Sequence, residues 1–111
     1  MILNGKAKED FLEYYWENRI KPLSMSICKK QDLGEFFETI MDIMQNALII
    51  EWLDSVKIFI NIKSKFGQKK QCERFSFNVR NYNSGFMFNS RQEATEKAIE
   101  KAVEIYNNQK S

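Results

Sequence analysis

The chain contains no histidine. A Ser-His-Asp or Cys-His arrangement therefore cannot form within it, and histidine-based zinc sites are excluded too. Cys28 and Cys72 are two isolated cysteines. Two thiols do not make a zinc site, and with no export signal they are expected to be reduced. No apolar run approaches the roughly 18 residues that a membrane helix needs, so no membrane contact is expected. Met1-Ile2-Leu3-Asn4-Gly5-Lys6 turns polar too soon for a signal peptide. The expected location is cytoplasmic. Carboxylates are plentiful, but no pair stands in a context that would split its pKa values. No catalytic residue, metal ligand or cofactor is assigned, and the chain is not expected to be an enzyme.

What is present fits a single domain over residues 1–111. Aromatic residues make up 14% of the chain, enough for a core despite 29% charged residues. The net charge of +2 is unevenly spread. Residues 1–56 carry a balance of −4 and residues 81–111 are neutral. Residues 57–80 hold Lys57, Lys63, Lys65, Lys69, Lys70, Arg74 and Arg80 against Glu73 alone, a balance of +6. A block of one sign can attract a polyanion.

Hydrophobic spacing divides the chain into six elements. A first helix is expected over 5–19, with Ala7, Phe11, Tyr14, Tyr15 and Trp16 near one face and Lys21-Pro22 ending it. A second helix is expected over 33–53, capped by Asp32, with Glu35 at the capping-box position. Its apolar stripe is broad, which suggests contacts on more than one side. The period then changes to two. Strands are expected over 56–63 (Ile58, Ile60, Ile62), 73–80 (Phe75, Phe77, Val79) and 85–89. Gly67 and the cluster Asn81-Tyr82-Asn83-Ser84-Gly85 supply the turns. The last helix, over 91–107, starts at Ser90 with Glu93 three residues on and carries Ala94, Ala98 and Ala102. Alanine every four residues lets a helix backbone lie close to a sheet. The fold class is α+β, in the order α-α-β-β-β-α, with a three-stranded antiparallel meander packed against helices. Whether the first helix covers the outer sheet face or extends the helical layer stays open.

The last five elements, with Ser90, Ala94, Ala98 and Ala102, resemble the α-β-β-β-α double-stranded RNA-binding domain, here with an extra N-terminal helix. That family grips phosphates with a lysine cluster at the start of its final helix. Here Arg91, Gln92, Glu93, Thr95 and Glu96 stand there, and only Arg91 fits. The family's glycine-proline-histidine loop is matched only by Gly67. The resemblance thus implies an order of elements and not RNA binding. Asn4-Gly5-Lys6-Ala7-Lys8-Glu9, Trp52-Leu53-Asp54-Ser55-Val56 and Ser90 to Asn107 also resemble small uncharacterised proteins of Bacteroides-type phages and mobile elements. That likeness implies an intracellular bacterial or phage setting and no particular activity.

Two functions from different classes follow. The first is a non-catalytic binding or accessory module with a protein partner or a second copy, through Phe11, Tyr14, Tyr15 and Trp16, which with Trp52 are expected to exceed what one core can hide. The alternative is nucleic-acid binding through the basic strand block, using Lys57, Phe59, Lys63, Lys65, Lys69, Lys70, Arg74 and Arg80. An uncovered outer sheet face, with Phe59 among cations, would favour the second.

Overall fold

The computed structural model describes residues 2–22, 28–66 and 73–110. Lys69, Lys70, the Gly67 turn and Cys72 lie outside these residues. The order is α1 (Gly5–Tyr15), a π-helical turn (Trp16–Ile20), a 3-10 turn (Lys30–Asp32), α2 (Leu33–Glu38), α3 (Asp42–Ser55), β1 (Ile60–Phe66), β2 (Glu73–Val79), β3 (Tyr82–Asn83) and α4 (Arg91–Lys110). The sheet is antiparallel in the order β1-β2-β3. The α+β class and the helix-strand layout expected from the sequence are therefore present.

The alanine stripe does what its spacing requires. Ala94, Ala98 and Ala102 are fully buried, with Ile99, Val103 and Tyr106 beside them, and α4 packs on β1 and β2. Ser90 Oγ accepts a hydrogen bond from the Glu93 N–H at 3.1 Å, closing the first turn.

α1 packs on α3 and α4, so it extends the helical layer. Its start is unusual. Asn4 makes no side-chain cap. Asn107, a hundred residues away on α4, does the capping. Its Oδ1 accepts from the Ala7 N–H at 2.8 Å, and its Nδ2 donates to the Asn4 backbone oxygen at 3.2 Å and to Asn4 Oδ1 at 2.9 Å. Gly5 is required here for two reasons. Its φ is +57°, and a Cβ would approach Asn107 Oδ1 to 3.2 Å. Asn107→Ala removes a cap and a tie between the chain's two ends. It is expected to cost about 1–2 kcal/mol, measured by denaturant unfolding.

The helix expected over 33–53 is two helices. Thr39 Oγ1 donates to the Phe36 oxygen at 2.6 Å, Met41 is extended (φ −57°, ψ 142°), and Gln45 Nε2 donates to the Ile40 oxygen at 2.7 Å. The break explains the broad stripe, because two short helices each turn one face inward. Leu33 and Phe37 enter the core from α2, and Ile49, Trp52 and Leu53 from α3. Asp32 makes no side-chain cap, since the preceding 3-10 turn carries the chain into α2. At the other boundary, α1 ends at Tyr15 and passes into the wider π-helical turn.

The strands also differ from their expected limits. α3 ends with Lys57 in the left-handed region (φ 66°) and the Ile58 N–H bonded to the Leu53 oxygen at 2.9 Å. β1 therefore starts at Ile60 and not at residue 56. It runs past Lys63 to Phe66, opposite Glu73. Apolar alternation stops at Lys63 because burial stops there, whereas backbone pairing continues. The strand expected over 85–89 is displaced. A two-residue turn at Arg80 and Asn81, with Arg80 at φ 54°, brings Tyr82 directly opposite Val79. The chain then leaves the sheet near Gly85 (φ 77°) and returns at Phe88, which bridges Phe75. Ser84 Oγ fills the gap by accepting from the Phe77 N–H at 2.9 Å.

The core contains an aromatic chain through the helical layer. Phe11 lies edge-on to Phe37 (centroids 5.0 Å) and Trp52 (5.9 Å), and Trp52 edge-on to Tyr106 (4.8 Å). Such contacts add about 0.5–1.5 kcal/mol each beyond burial. The Tyr106 hydroxyl donates to Asp10 Oδ2, and Lys6 Nζ approaches Asp10 Oδ1 at 3.2 Å. Burial, with the Asp10 hydrogen bond second, pushes the Tyr106 hydroxyl up to about 12 from 10.0. A raised folded-state pKa means that the neutral form stabilises the fold. That contribution is complete below pH 10.0 and is lost as pH rises toward about 12. Thermal melts across this range are expected to show a falling midpoint, and Tyr106→Phe should flatten the fall.

Candidate nucleic-acid interface

The sheet has two unlike faces because β-strand side chains alternate. Val79 opposite Ile60, Phe77 opposite Ile62 and Phe75 opposite Ser64 face the helices. The other face carries Phe59, Asn61, Lys63 and Lys65 along the first strand and its approach. Across from them are Arg74, Ser76 and Asn78, with Ser76 opposite Lys63 and Arg74 opposite Lys65. No carboxylate occupies a position on this face of β1 or β2.

The β1 side of this outer face is open to solvent. Phe59 is 53% exposed, and Asn61, Lys63 and Lys65 are exposed. On the β2 side, Arg74 and Asn78 are half-buried and Ser76 is buried. The loop after β3 adds a second aromatic, since Lys65 Nζ lies 4.8 Å from the centre of the exposed Phe86 ring. Asn78 Oδ1 is buried and has no hydrogen-bond partner among the described residues.

Not every expected cation joins the face. Arg80, in its left-handed turn, reaches toward the Gln109 carboxamide at the end of α4. Lys57 sits in the left-handed residue that ends α3. Lys63, Lys65 and Arg74 are the described cations that share this face with Phe59, with Arg74 opposite Lys65. Among the described residues, no group of His, Cys, Asp or Glu could hold a metal ion, and no helix is long and apolar enough to cross a membrane.

The aromatic residues expected to meet a partner lie elsewhere. Phe11 and Tyr15 are buried and Trp52 closes over them, while Tyr14 and Trp16 are half-buried. Phe11, Tyr15, Phe37, Trp52 and Tyr106 fit in one core because four of their contacts are edge-to-face, which packs rings closely. Phe11 and Tyr15 are therefore unavailable as a contact surface. An exposed apolar patch does exist, but at the start of α3. Met41, Ile43 and Met44 are 69%, 63% and 55% exposed. The signal for it was the broad apolar stripe over 33–53. The sequence could not show which side the core would leave uncovered.

No protein-family model, curated protein or solved structure matches this chain. What its surface can bind is therefore argued from its own residues.

Proposed function

We propose that the chain is a non-catalytic nucleic-acid-binding module that lays a single strand across the outer sheet face. The supporting observation is the outer sheet face, where exposed Phe59, Lys63 and Lys65 follow one another along the first strand and its approach, Arg74 stands opposite Lys65, and no strand carboxylate shares the face. Lysine and arginine neutralise phosphates, and exposed rings stack on unpaired bases. The spacing suits such a strand, because side chains on one face of a β-strand recur about every 6.6–6.8 Å, close to the reach of an extended nucleotide. The cations grip the backbone without reading sequence, so weak base selectivity is expected.

The test is fluorescence anisotropy with labelled single-stranded DNA and RNA, and with a duplex of the same length, in about 50 mM salt. Single strands are expected to bind more tightly than the duplex, with an affinity that drops steeply as salt rises. No binding to any of the three in low salt would sink the proposal.

A further inference from the structure

We infer that Asn61, with Asn78 and Asn83 beside it, selects adenine at the one nucleotide that stacks on Phe59. The inference rests on the single-strand reading above and adds to it a base preference at one position. Strand register carries it. Asn61 lies directly opposite Asn78, and Asn78 directly opposite Asn83. Residues paired across antiparallel strands share a face, so a row of three carboxamides crosses β1, β2 and β3. It crosses the outer face, because Phe77 and Val79 on either side of Asn78 are the buried ones. Asn61 and Asn83 are exposed, and Asn78 between them is half-buried. Phe59 precedes Asn61 by two residues on the same side, about 6.6–6.8 Å away along the chain. Beyond the row come Lys63 and then the Lys65–Arg74 pair. The face thus has a neutral end with an exposed ring and a cationic end.

The two ends suit different parts of a nucleotide. Phosphate oxygens only accept hydrogen bonds, and cations meet them best. A base edge donates and accepts at once. A carboxamide does the same, with N–H donors beside a carbonyl acceptor. Adenine sets its 6-amino donor next to a ring-nitrogen acceptor, which lets asparagine hold it by two hydrogen bonds. Guanine sets two acceptors side by side in O6 and N7, which call for a cation, and thymine has no amino group. Cytosine has one, but its single ring covers less of the Phe59 face. Asn61 makes no side-chain hydrogen bond among the described residues. Asn83 Oδ1 already accepts from the Gly85 N–H at 2.8 Å, so Asn83 adds only its N–H donors. Selection at one nucleotide leaves the rest of a strand unread, so selectivity over a whole strand stays weak.

Fluorescence anisotropy of the whole chain decides it, with three labelled DNA strands of about eight nucleotides. One is all thymidine, the second has adenine at its central positions, and the third has purine there, which lacks the 6-amino group. In about 50 mM salt, the adenine strand is expected to bind about fivefold more tightly than the other two. Asn61→Ala removes an exposed carboxamide and is expected to shrink that ratio below about twofold. Equal binding of the three strands overturns the inference and leaves the phosphate and stacking reading in place. So does a preference that survives Asn61→Ala, or one that the purine strand shares. Absence of binding to every strand overturns both.

Discussion

Trp52→Ala is expected to destabilise the domain by about 3–5 kcal/mol. Trp52 is 2% exposed and lies between Phe11 of α1 and Tyr106 of α4. Removing its indole opens a void where three helices meet, and the edge-to-face contacts on both sides are lost with it. α1 packs against α3 and α4 and takes its cap from Asn107, so the loss falls largely on its attachment. Domains of this size are stable by roughly 5–15 kcal/mol. The variant should therefore sit close to its unfolding threshold, with α1 the first segment to lose protection in hydrogen exchange. Guanidinium unfolding measures the total. A loss below about 1.5 kcal/mol would mean that Trp52 does not join these helices as described.

Reversing the charge of the sheet face should weaken binding strongly and leave the fold intact. Lys63→Glu combined with Lys65→Glu is expected to weaken single-strand binding about 30- to 100-fold in low salt. Two phosphate contacts are lost and two repulsive charges gained. If each lysine meets one phosphate, replacing both with glutamine instead should reduce the salt slope by roughly 1.4, at about 0.7 per contact. Both side chains are exposed, so stability should shift by less than about 0.5 kcal/mol. Phe59→Ala isolates stacking and is expected to cost about 1–3 kcal/mol of binding with little change in salt slope. Normal binding by the doubly reversed chain would place any nucleic-acid site off this face.

The sequence carried much of the architecture because periodicity reports burial directly. Ala94, Ala98 and Ala102 announced a helix lying close to a sheet, and all three are fully buried. Phe75, Phe77 and Val79 announced one buried strand face, and they are buried. Ends were harder to place, because they follow backbone hydrogen bonds. β1 continues through Ser64 and Lys65, where nothing apolar marks it. The break at Thr39–Met41 depends on the Thr39 hydroxyl and the Gln45 carboxamide, neither of which leaves a periodic trace.

The candidate sites divide along the same line. Composition and local spacing alone determined a basic strand block with Phe59 inside it, a chain without histidine chemistry, and a surplus of large aromatic side chains. Which of those side chains would face solvent was a matter of packing between distant segments. Tertiary structure put Phe11 and Tyr15 inside, turned Arg80 toward Gln109, placed α1 in the helical layer and left the start of α3 bare. The reason is physical. Alternation fixes which residues share a face, but only contacts between segments, such as Asn107 holding the first turn of α1, decide which face another segment covers.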